Sequence, residues 1–162
     1  MRSFIPREYR RSIGEIDLDG LKQKGINHLI VDLDETLRKR NDDHIPDSSI
    51  NWIKKAEAAG FNVCVSSNSL FPWKFDKVRE RLHVPSYAFT LKPLPFAFWK
   101  AFGILNSNAK NTAMIGDQLF TDILGANLLG IYTIMVAPMT KNERGFHRRL
   151  MRWLESKFYR PN

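Results

Sequence analysis

A small set of side chains in this sequence has the types and spacing to handle a phosphoryl group. The stretch "HLIVDLDETL" runs from the apolar Leu29, Ile30 and Val31 straight into Asp32, Asp34 and Glu35. Carboxylates at the end of a buried apolar run are costly unless positive charge stands among them. Further along, "VCV" gives way to Ser66, Ser67 and Asn68, Lys92 stands in "TLKPLP", and "AMI" leads into "GDQLFTD", Gly116 to Asp122. Asp32 and Asp117 together suit Mg²⁺, a hard cation that takes carboxylate oxygens. A phosphoryl group beside that cation would be held by the Ser67 hydroxyl, by backbone amides and by Lys92. Asp32 would then attack phosphorus in line to give an aspartyl-phosphate. Asp34 would protonate the leaving group and later deprotonate the hydrolytic water.

These residues recur at a regular place in the chain. Short apolar runs lie near 28–33, 62–66, 87–90, 112–115 and 131–136, with helical spacing over 47–59, 71–82, 95–106 and 119–129. Gly25, Gly60 and Gly130 each close a helical pattern just before a strand, where a left-handed C-cap is wanted. Asp47, after Pro46, reads as the N-cap of the helix carrying Trp52, Ile53 and Ala56. Strands that are apolar throughout and alternate with helices predict an α/β fold, a Rossmann-like three-layer sandwich with a mainly parallel five-stranded sheet. Ligands in such folds bind beyond the carboxyl ends of the strands. Every candidate residue follows an apolar run, so all of them are expected on one rim.

The chain is read as a single domain of 162 residues, with 43% hydrophobic residues, enough for a core and far from a disordered composition. Its one cysteine, Cys64, sits in an apolar run and reads as a core residue, which fits a reducing, cytoplasmic setting. No secretory signal is apparent at the start, and the longest apolar stretch, Leu128 to Ala137, has about half the ~20 residues needed to cross a bilayer. The net charge of +8 is localised: residues 1–11 hold four Arg against one Glu, residues 141–162 hold seven Lys/Arg against two Glu, and the remainder is balanced. Residues 1–25 thus read as a basic N-terminal extension with a helix. Residues 141–162 read as a basic amphipathic helix with Phe146, Leu150, Trp153, Leu154 and Phe158 on one stripe. Two basic ends predict contact with a polyanionic surface, an anionic membrane being favoured over nucleic acid.

The ordered set "DLDET", Ser-Asn, an isolated Lys before Pro, and "GDxxxxD" resembles the four signature motifs of the haloacid dehalogenase (HAD) superfamily, across residues 28 to 136. The whole chain is similar to the YqeG-type phosphatases of HAD subfamily IIIA, which are related to the mitochondrial phosphatidylglycerophosphate phosphatases. The resemblance implies that Asp32 is nucleophile and metal ligand and that Asp34 is acid/base, with its backbone carbonyl a further ligand. It implies Ser67, Asn68 and Lys92 as phosphate holders, Ser67 being preferred to Ser66 because Asn68 follows it. Asp117 would be the second carboxylate ligand, supported by Asp122. The gaps from Asp34 to Ser67 and from Ser67 to Lys92 leave no room for a cap domain, so the site should be open and suited to a large or surface-embedded substrate. Mg²⁺-dependent hydrolysis of phosphatidylglycerophosphate, at the inner membrane face, is the implied activity. One departure is Glu35, where that group more often has Asn; it is expected to point away from the metal.

Blander readings compete at several positions. An EF-hand loop is excluded by Thr36 and by the missing Gly. Arg38, Lys39 and Arg40 could meet an anionic headgroup or form an ordinary solvated hairpin. Phe71, Trp73 and Phe75 read as the core face of a helix. The same chemistry could serve a phosphoprotein or a nucleotide, and a basic, non-enzymatic binding module is the alternative from another class.

Overall fold

A computed structural model describes residues 2–40, 42–68, 74–88 and 92–140, together with 149, 153 and 157. Six strands form one sheet: β1 (Glu8–Arg10), β2 (His28–Asp32), β3 (Asn62–Ser66), β4 (Ser86–Tyr87), β5 (Thr112–Gly116) and β6 (Tyr132–Val136). All neighbours pair in parallel, in the order β1-β6-β5-β2-β3-β4. Helices α1 (Leu18–Gln23), α2 (Asp47–Ala58), α3 (Lys74–Leu82), α4 (Pro95–Leu105) and α5 (Gly125–Leu128) lie between them. A wide π-helical turn, Leu119–Leu124, precedes α5.

The uniformly apolar strands have a direct cause. Leu29 and Val31 of β2 join one core with residues of α1, α2 and α3, while Ile30 between them joins a second core with Phe98 and Ala101 of α4. Successive strand side chains point to opposite faces, and both faces are covered. Cys64 lies in the second core, fully buried, and burial pushes its thiol pKa up to about 12.

The sheet has six strands rather than the five expected, because the segment read as a basic extension contributes the edge strand β1. Glu8 pairs with Ile134 and Arg10 with Val136, and only Tyr9 turns inward, fully buried beside Ile123 and Met135. A three-residue edge strand with charged residues on either side of one apolar residue carries no sequence signal of burial. The rest of that extension does contain a helix, α1, whose Asp17 side chain accepts from the Gly20 amide at 2.9 Å. Two local readings change. Pro46, not Asp47, occupies the N-cap of α2, which has no side-chain capping bond, and Asp47 is its first helical residue. The third apolar run narrows to Ser86 and Tyr87, residues 89–91 lying outside the described set.

Gly25, Gly60 and Gly130 have φ of 78°, 84° and 76°, the left-handed conformation anticipated for them. Phe75 is buried as expected, whereas Phe71 and Trp73 fall outside the described residues. So does most of the amphipathic stripe at 141–162; Arg149, Trp153 and Lys157 are helical and exposed. Among the described residues no helix is long and apolar enough to cross a membrane.

Candidate active site

From β2 the chain passes outward to β3 and β4 on one side, and β5, β6 and β1 occupy the other. The switch in strand order therefore falls between β2 and β5, where a parallel sheet opens a crevice at its carboxyl rim. Asp32 ends β2 and Asp117 follows β5. The register pairs Val31 with Ile115, which brings the two aspartates to adjacent tips. Asp32, Asp117 and Asp122 each offer a carboxylate oxygen within 4.8 Å of the others, and all three are buried.

Lys92 enters from the start of α4. Its ammonium donates to Asp32 Oδ1 and Asp122 Oδ1, both at 2.6 Å, and to Ser66 Oγ at 3.4 Å. Its side chain is almost fully buried. Burial works against the Lys92 charge, but Asp122 and Asp32 outweigh it and hold its pKa above the ordinary value. Burial likewise pushes the Asp32 carboxyl up to about 7, with Lys92 opposing and Asp122 adding to the shift. Asp117 is pushed up to about 8, by burial first and then by Asp32 and Asp122.

Three buried carboxylates facing one ammonium leave an excess of negative charge. Asp117 Oδ1 is also buried with no hydrogen-bond partner, an arrangement that is expensive without a ligand. Hard oxygen donors, surplus negative charge and an orphaned lone pair together fit a divalent cation such as Mg²⁺. Asp32, Asp117 and Asp122 would hold it.

Asp122 owes its place to glycine. A Cβ on Gly116 would stand 2.3 Å from Asp122 Oδ2, so the carboxylate passes over a bare backbone. The same oxygen accepts from the Gln118 amide at 3.1 Å, fixing the turn that carries it. π-type turns are frequent at functional sites.

The carboxylate of Asp34 lies outside the three-acid cluster. It is held by Arg38 Nε at 3.2 Å and by the Ser67 hydroxyl, which donates to Oδ2 at 3.2 Å. Both serines face the site: Ser66 toward Lys92, Ser67 toward Asp34. The Asn68 side chain is tied to Lys92. Its amide donates to the Lys92 carbonyl at 3.3 Å and its oxygen accepts from the Lys92 amide at 3.0 Å, so it clamps the lysine's main chain.

Sequence reasoning missed Arg38. Within "LRKR" only Lys39 and Arg40 are exposed; Arg38 is buried, bound to Asp34 and 3.8 Å from Asp43. The signal available was its spacing of four from Asp34, closed by a tight turn in which the Leu37 and Arg38 amides donate to the Leu33 carbonyl. Glu35 does turn away from the acids. Its carboxylate accepts from the amides of Arg40 and Thr140 at 2.9 and 2.7 Å and from the Thr140 hydroxyl at 3.1 Å. Its φ of 66° is the left-handed region that Asn tolerates more easily than Glu, which gives a reason for Asn in its relatives.

The HAD-hydrolase-like family model matches residues 90–145. The probable phosphatase YqeG of Bacillus subtilis (strain 168) is 31% identical over 152 residues, covering 94% of this chain and 87% of that one. Phosphatidylglycerophosphate phosphatase 1, chloroplastic/mitochondrial, of Arabidopsis thaliana is 27% identical over 95% of this chain, which spans 47% of that protein's length. Among solved structures, the cobalt-bound deoxy-D-mannose-octulosonate 8-phosphate phosphatase of Haemophilus influenzae superposes with a TM-score of 0.54 at 18% identity, covering 83% of this chain and 90% of that one. The fold agrees with that of a HAD phosphatase, and the full-length likeness to YqeG supplies the closer relationship. The chain belongs to the YqeG-type phosphatases of the haloacid dehalogenase superfamily.

Proposed function

We propose that this phosphatase hydrolyses the phosphomonoester of phosphatidylglycerophosphate, with Mg²⁺ and through an aspartyl-phosphate on Asp32. The observation that carries the chemistry is the gathering of Asp32, Asp117 and Asp122 around Lys92 at the sheet's switch point, with Asp34 beside them. A carboxylate oxygen of Asp32 attacks phosphorus, and the bond from phosphorus to the lipid glycerol oxygen breaks. Asp34, protonated, gives its proton to that oxygen. It then takes a proton from the water that attacks the aspartyl-phosphate, so that inorganic phosphate leaves and Asp32 is restored. Ser67 and Lys92 supply hydrogen-bond donors and positive charge to the phosphoryl oxygens. Arg38 orients the Asp34 carboxyl, the Ser67 hydroxyl turning from Asp34 to the phosphoryl group when substrate enters, and Asn68 fixes the Lys92 backbone. Bound Mg²⁺ would neutralise charge that develops on the phosphoryl oxygens.

The lipid substrate is supported by the named activity of the Arabidopsis relative and by the basic character of the chain. The test has two arms. A soluble aryl phosphate assayed with and without Mg²⁺ should show metal-dependent turnover that Asp32→Asn abolishes. Phosphate release from phosphatidylglycerophosphate in mixed micelles should exceed that from a soluble phosphosugar; equal or lower release ends the lipid assignment and leaves the chemistry standing.

A further inference from the structure

Several large apolar side chains beside the catalytic rim face solvent. Leu94, Phe96 and Trp99 are 48%, 45% and 60% exposed, and Phe120 is 56% exposed. Leu94 lies two residues past Lys92, and Phe120 three past Asp117, so each is tied by a few bonds to the site. The two segments adjoin: a Cβ on Gly125 would stand 2.8 Å from the Pro93 carbonyl, so the start of α4 lies against the π-turn and α5. Phe4 packs edge-on against Phe120 with ring centroids 5.7 Å apart and extends the surface. Phe96 and Trp99 are three apart on α4 and share a face with Lys100, which is also exposed.

Exposed cations stand on α4 and near the acid cluster. Lys39 and Arg40 are exposed on the turn after Asp34, and the Arg40 charge lies close enough to the site to act on Asp117. Aromatic side chains interspersed with exposed Lys and Arg match the interfacial region of a bilayer, where rings enter the headgroup and acyl boundary and cations meet lipid phosphates. A site for a small soluble substrate has no need of aromatic side chains held in water at its rim.

We propose that Leu94, Phe96, Trp99 and Phe120 form a docking shelf that seats the catalytic rim on an anionic lipid bilayer, with Lys39, Arg40 and Lys100 meeting the headgroups. This rests on the reading of the chain as a lipid phosphatase and specifies how it reaches its substrate. The shelf and the acid cluster share one edge of the sheet, so a docked molecule presents Asp32 toward the membrane. A phosphomonoester then needs only to project from the surface, and the lipid tails remain in the bilayer.

The full-length protein is sedimented with vesicles of phosphatidylcholine mixed with phosphatidylglycerol, and with vesicles of phosphatidylcholine alone. The wild type should partition onto the mixed vesicles, and Phe96→Ser with Trp99→Ser should lower that partition by about tenfold or more. Turnover of a soluble aryl phosphate by the double variant should match the wild type, which also verifies folding. Equal vesicle partition by the two proteins, or none by either, overturns the shelf. So does a wild-type dimer in size-exclusion chromatography that the double variant converts to monomer, since the face would then join two copies. A wild type that binds mixed vesicles through these residues, yet hydrolyses soluble phosphosugar as well as lipid phosphate, keeps the shelf and overturns the substrate.

Discussion

Replacing Glu35 with alanine isolates one buried carboxylate whose effect can be worked out from its bonds. Burial alone would raise its pKa, but the Arg40 and Thr140 amides, the Thr140 hydroxyl and the Arg40 charge outweigh this and hold it below the ordinary carboxylate value. Hydrogen bonds to charged groups contribute about 1.5–3 kcal/mol each. Thr140 is exposed, so water can replace part of what is lost there. Arg40 is exposed as well, so solvent discounts each bond to below the low end of that range, and the three together give a loss of about 2–3 kcal/mol at neutral pH. Alanine incurs a similar cost at a φ of 66°, so backbone strain largely cancels in the comparison. A carboxylate with a depressed folded pKa stabilises fully above its unfolded value of 4.5, and that contribution disappears as the pH falls through the lower folded value. Urea denaturation of wild type and Glu35→Ala, from neutral pH down to the lowest pH at which both unfold cooperatively, should show a gap that narrows with acid. A neutral-pH gap under about 0.5 kcal/mol, or one that stays constant as the pH falls, refutes the reasoning.

Two further outcomes follow from the acid cluster. Mg²⁺ added to chelator-treated protein should raise Tm, by an amount corresponding to about 2.7 kcal/mol at a hundred times Kd, and Asp117→Asn should remove most of the rise; differential scanning calorimetry reads both. Asp34→Asn should slow release of an alkyl alcohol far more than release of an activated phenol in the first turnover, because only the alkoxide needs the proton, with steady-state turnover falling about a hundredfold or more. Rapid-quench measurement of the first-turnover alcohol tests this, and equal losses for the two leaving groups would remove Asp34 from the acid role.

The central strands and the acids that follow them were legible in the sequence for one physical reason. β2, β3 and β5 are buried on both faces, so their apolar runs are continuous and their ends are marked by an abrupt change to polar residues. The same logic fails at the margins. β1 buries only Tyr9 between Glu8 and Arg10 and generates no pattern, and β4 has two residues, so the apolar run at 87–90 marks its place without its bounds. Arg38 was hidden inside a run of three cations, because its burial depends on a reverse turn closing beneath it. The two bonds of Asn68 to Lys92 leave no mark in the sequence, because they depend on a loop brought in from a distant part of the chain.

The pairing of β2 with β5 joins segments far apart in the chain, with three helices and two strands between them. A polypeptide that has emerged from the ribosome only as far as α4 already holds Asp32, Asp34, Ser67 and Lys92, but lacks the strand that would bring up the opposing carboxylates. In such a nascent chain Asp32 lacks the other two acids of its cluster, and it gains them only when translation has passed Gly116 and Asp122 and the late strand has inserted beside β2. The acid cluster in this architecture therefore waits on β5 and the turn after it, and products interrupted before Asp117 lack two of its three carboxylates.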